Sequence, residues 1–134
     1  MVYLYRVAWA WYEDYIPYVL IHERRFSDGE WNKIIRDAMN KAVNELLKTD
    51  EFIGMDRIVF KVVGILCSEY GFRRAEYVQE LELTGSIIIK ENDKDEIKEL
   101  GNYIDTELVN AIIEHNKKVE SEIWRKIKLG RKGV

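Results

Sequence analysis

Tyr-Leu-Tyr-Arg-Val-Ala-Trp-Ala-Trp, residues 3–11, sets Tyr3, Tyr5, Val7, Trp9 and Trp11 on odd positions, with Leu4, Arg6, Ala8 and Ala10 between them. Side chains on a strand alternate faces with period two, so the segment predicts a strand with one ladder of large rings and one face of mostly small residues. The first eighteen residues hold seven of the chain's twelve Tyr and Trp side chains. Such a ladder is either the densest part of a core or a surface that docks a partner. Val7 at its centre favours the core. As a docking face it would present Tyr3, Tyr5, Trp9 and Trp11, residue types that anchor protein interfaces. It is poorly equipped to stack nucleic-acid bases. Arg6 is the only Lys or Arg among the first 23 residues, and Glu13 and Asp14 follow the ladder.

Tyr12-Glu13-Asp14-Tyr15 reads as a turn, and Ile16 to Arg24 as a second strand that makes an antiparallel hairpin with the first. Pro17 lacks an N–H, so that strand lies at an edge or starts after it. Ser27-Asp28-Gly29-Glu30 is a capping box. Trp31, Ile34, Ile35, Ala38, Met39, Ala42, Val43, Leu46 and Leu47 follow on one face, which predicts a helix over 28–48. Residues 56–70 satisfy two patterns. Ile58, Val59, Val62, Val63 and Leu66 fit a helix face, while the β-branched run around Val59 suits a strand. Gly71 after Tyr70 decides for helix, because glycine just past a last turn is the usual left-handed stop.

From Arg74 to Glu91 the alternation of Tyr77, Gln79, Leu81 and Leu83 predicts a strand, with Thr84-Gly85 turning the chain into Ser86–Lys90 as a second hairpin. Ile97, Leu100, Ile104, Leu108, Ile112, Val119, Ile123 and Ile127 carry a helical stripe almost to Gly130, with a kink or a junction of two helices at Gly101-Asn102. The expected fold is α+β: a two-layer, four-stranded antiparallel sheet built from two hairpins, with helices on one face and a long C-terminal helix. Residues 1–130 form one domain in this reading, and 131–134 a disordered basic tail.

Composition narrows the function classes. At 47% hydrophobic and 34% charged residues the chain is ordinary for a soluble globular protein. No apolar run approaches the ~20 residues of a membrane span, so no membrane partner is expected and a cytoplasmic location is. One Gln and three Thr against abundant Glu, Lys, Arg and Ile resemble thermophile usage, which seven Asn residues oppose. The single cysteine, Cys67, rules out an intramolecular disulfide and reads as an inert thiol in an apolar stretch. Two histidines, His22 and His115, with no metal-type spacing give no metal site. Glu13/Asp14, Glu80/Glu82 and Asp95/Glu96 are carboxylate pairs outside any apolar context that would shift a pKa. No glycine-rich phosphate loop or nucleophile motif is present, so neither a cofactor nor a catalytic residue is named.

Charge is uneven. Residues 116–134 hold seven basic and two acidic side chains, a net +5 on a body whose remaining residues net −8. A nucleic-acid-binding module would draw on Arg24, Arg25, Arg73 and Arg74 together with Lys117, Lys118, Arg125, Lys126 and Lys128. The arginine pairs also suit the chain's many carboxylates, and basic residues at a helix C-terminus suit its dipole. The leading expectation is a small non-enzymatic protein that binds another protein and also itself: an adaptor, an assembly factor or a virus-type inhibitor of host defence.

Overall fold

The computed structural model describes residues 2–9, 18–75 and 97–132. Strands β1 (Tyr3–Ala8) and β2 (Tyr18–His22) pair antiparallel, with Tyr5 opposite Leu20 and Val7 opposite Tyr18. This is the hairpin expected from the aromatic ladder; its turn, 10–17, lies outside the described residues. Helices α1 (Asp28–Leu47) and α2 (Met55–Tyr70) follow, then the short strand β3 (Arg73–Arg74), which pairs antiparallel with β2. Strand β4 (Ile97–Glu99) lies on the other side of β1, giving the order β3-β2-β1-β4. A 3₁₀ turn over Leu100–Tyr103 leads to α3 (Thr106–Lys132).

Two expectations are corrected. The sheet is mixed, because β4 runs parallel to β1, with Val7 beside Lys98. Residues 97–104 are also not the start of the last helix. The spacing of Ile97, Leu100 and Ile104 that resembled a helix is met by a strand, a 3₁₀ turn that buries Leu100, and an extended Ile104 (φ −101°, ψ 133°). Three-residue repeats suit a 3₁₀ turn as well as an α-helix. The expected second hairpin (Tyr77–Leu83 with Ser86–Lys90) lies outside the described residues, as do Glu80 and Glu82.

Helix α1 begins as its capping box requires. The Glu30 amide donates to Ser27 Oγ at 3.1 Å, and the Ser27 amide donates to Glu30 Oε1 at 3.2 Å. Its buried face is Trp31, Ile35, Ala38, Met39, Ala42, Val43 and Leu46. For α2 packing overrides β-propensity, which is a weak, context-dependent preference. Ile58, Val59, Val62, Val63, Ile65 and Leu66 are all buried, and Gly71 stops the helix at φ 77°. The Phe72 amide then donates back to the Leu66 carbonyl at 3.2 Å.

The core lies where both helices meet the sheet face bearing Tyr5, Val7 and Leu20. Phe72, 2% exposed, sits against Tyr5, Trp31 and His22 with ring centroids 4.7–5.3 Å apart. Aromatic pairs at such spacing add ~0.5–1.5 kcal/mol each beyond their buried area. Ala8 and Ile21, which alternation aims at the opposite face, are also buried, so the sheet buries apolar residues on both sides.

Candidate interaction surface

The aromatic ladder belongs largely to the core. Tyr5 is buried and its hydroxyl is doubly satisfied, donating to the Arg24 carbonyl at 2.8 Å and accepting from the Phe26 amide at 2.9 Å. Burial raises its phenol above the ordinary 10.0, against the opposing effect of the Phe26 hydrogen bond. Tyr3 and Trp9 are half-buried and pack against the core. Trp9 lies over Gly101, where a Cβ would stand 3.4 Å from the indole nitrogen, in ordinary contact with the ring. Trp11 lies outside the described residues.

The arginine pairs meet carboxylates and rings of this chain. Arg24 pairs with Glu30 at 3.1 Å and lies over the Phe26 ring; Arg73 reaches Glu23 at 3.9 Å. Arg74 lies over Tyr18, and Arg25 is exposed. His22 is held within the fold. The Arg24 amide donates to its Nδ1, so Nε2 carries the proton and donates to the Tyr70 carbonyl at 2.8 Å. Cys67 is half-buried, and burial pushes its thiol up despite nearby Arg74. Among the described residues no three His, Cys, Asp or Glu side chains come together as a metal would need. An open groove of ≈510 Å³ runs past Tyr18, Leu46 and Phe60, and Lys61 pairs with Glu45 across its wall at 2.8 Å.

Helix α3 presents a different kind of surface. Its first half is anchored by Leu108 and Ile112 against the core and by buried Val119. Asn116 acts as a clip: its Oδ1 accepts from the Ile53 amide at 2.8 Å and its Nδ2 donates to the Ile53 carbonyl at 3.0 Å. His115 Nε2 bonds the Glu51 carbonyl at 2.8 Å one residue earlier, so this histidine is not merely solvated. From Glu120 to Gly130 every residue is exposed. The apolar stripe nevertheless continues: Val109, Ile113, Ile123, Trp124 and Ile127 are 36–62% exposed. At ~100° per residue these five fall within an arc of about 100° next to Leu108, Ile112 and Val119, with the clip residue Asn116 inside it. Lys117, Lys118, Arg125, Lys126 and Lys128 are exposed on the same helix, Lys117 pairing with Glu114 at 3.8 Å. Of the residues named from sequence, these five lysines and arginines share one element; the arginine pairs lie at β2 and β3.

Sequence reasoning missed two features. Asn116 had no distinguishing signal, since a polar residue on a helix is normally solvated. Lys98 is buried at 6% exposure on the core side of the sheet and reaches Asp28 in the first turn of α1 at 2.6 Å. Alternation from Val7 would have found it had the parallel strand been foreseen.

The fold and surface together define an α+β chain with a mixed sheet, four-stranded among the described residues, and an amphipathic last helix that is half unpacked. No model of a known family matches the chain, and neither a curated protein nor a solved structure matches it. Among the described residues no helix is long and apolar enough to cross a membrane.

Proposed function

We propose that this chain works without catalysis, by binding protein, including a second copy of itself, and that α3 is the binding element. The observation that carries this reading is the run of exposed Val109, Ile113, Ile123, Trp124 and Ile127 on one side of the helix. Residues 120–130 continue the anchored first half of α3 and are all exposed, so a partner that covers their apolar side removes from water surface that the single copy leaves there. Trp is the residue type most enriched among interface anchors, and Trp124 is 62% exposed. The Tyr5 end of the aromatic ladder does not serve in this reading, because the core already occupies it.

A second reading, a nucleic-acid module, rests on the exposed Lys117, Lys118, Arg125, Lys126 and Lys128. It predicts binding that falls steeply with salt, as each neutralised phosphate releases counterion. The test is mass by light scattering after size exclusion at low and high salt, with absorbance at 260 and 280 nm on the same peak. A nucleic-acid-free dimer that persists at high salt supports the first reading. A monomer that carries nucleic acid and sheds it at high salt supports the second and refutes the first.

A further inference from the structure

Resting on the self-association reading, we infer that the occupant of the α3 stripe is the α3 of a second copy, paired antiparallel about a two-fold axis near residue 118. The helix is electrically polar. Residues 105–116 carry three acidic and no basic side chains, and residues 117–132 carry seven basic against two acidic. Parallel pairing sets +5 against +5, whereas antiparallel pairing sets the −3 half of each helix against the +5 half of the other and opposes the two helix dipoles.

Four of the five exposed apolar residues share that symmetry; Trp124 falls opposite the partner's Ile112, at the margin of the stripe. With residue 118 on the axis, position n faces position 236 − n. Val109 then meets the partner's Ile127, and Ile113 meets the partner's Ile123. Position 116, whose Asn116 amide stays bonded to Ile53 of its own copy, faces position 120, so no Ile or Val of the stripe is set against a charged residue. The stripe from Val109 to Ile127 is about 27 Å long at 1.5 Å per residue. Its members are exposed in the single copy, so covering them requires no change in the packing of Leu108, Ile112 or Val119. The interface is isologous, with the same patch on both copies, as closed two-fold assemblies require.

Sedimentation velocity on the full chain and on Ile123→Glu/Ile127→Glu tests the pairing. Both positions are exposed, at 50% and 41%, so the variant keeps the wild-type circular dichroism as a folded monomer. Its dimer dissociation constant rises about a hundredfold or more, the size of a loss at central interface anchors. Orientation is read in a Cys67→Ser background. A mixture of Ile113→Cys and Ile123→Cys chains forms the mixed disulfide on oxidation. Ile113→Cys alone does not cross-link, because its two copies lie about 15 Å apart along the axis, beyond disulfide reach.

Three outcomes overturn the inference, each in a different way. A wild-type dimer that survives the double Glu substitution removes α3 from the interface and leaves self-association standing. Cross-linking of Ile113→Cys to itself makes the pairing parallel. A wild-type chain that stays monomeric, whether or not it takes up anionic vesicles or nucleic acid, refutes both this inference and the self-association on which it rests.

Discussion

Asn116→Ala removes the clip that holds α3 to the connection between α1 and α2. In the wild type the Asn116 amide makes two bonds, at 2.8 and 3.0 Å, to the amide and carbonyl of Ile53, a residue 3% exposed. Truncation leaves both backbone groups without that partner. A buried group left unsatisfied costs ~1–3 kcal/mol; both bonds of the clip are part-buried, so the expected loss for the pair is about 2–3 kcal/mol. With a urea slope of ~1–3 kcal/mol/M for a small domain, the midpoint falls by about 0.7–3 M at unchanged slope. The assay is equilibrium urea unfolding at one fixed protein concentration, since association couples to stability. Amide exchange at Ile53 is read alongside and accelerates in the variant. A midpoint shift below about 0.3 M, with Ile53 protection unchanged, would refute the reasoning, because solvent would then be replacing both bonds without cost.

Ser27→Ala should lower stability by about 1 kcal/mol in the same assay, since it deletes one arm of the capping box. Gly71→Ala should cost about 1–2 kcal/mol, because a Cβ at φ 77° is strained and would stand 3.4 Å from His22 Nε2; Gly71→Asn should cost less. Tyr5→Phe keeps the ring contacts but strands the Arg24 carbonyl and the Phe26 amide, at about 2 kcal/mol. Burial raises the Tyr5 phenol, so its contribution is fully present below the ordinary value of 10.0 and is lost as pH rises through the folded value. Between pH 8 and 11 the wild-type urea midpoint should therefore fall further than that of Tyr5→Phe; parallel curves would count against the assignment.

The local elements were legible from residue patterns. Alternation placed β1 and β2, the Ser27–Glu30 box placed the start of α1, and Gly71 placed the end of α2 despite the β-branched run inside it. Each rests on contacts within a few residues, where side-chain period and backbone stereochemistry suffice. The segment 97–104 was misread for the opposite reason. Its apolar spacing fits a helix as well as a strand followed by a 3₁₀ turn, and the pairing of Arg6, Val7 and Ala8 with Ile97, Lys98 and Glu99 selects between them. That partner lies about ninety residues away.

The terminal helix divides in the same way. Its amphipathic stripe and the asymmetry of its charges were plain in the order of residues, because helical period and charge are properties of sequence alone. Which part of the stripe is buried was not, since Leu108, Ile112 and Val119 look no different in sequence from Ile113, Ile123 and Ile127. Only the packing of the body covers the first set and leaves the second in solvent. Periodicity says that a face must be covered, while the length of the domain beneath it decides how much the chain covers for itself and how much it leaves for another molecule.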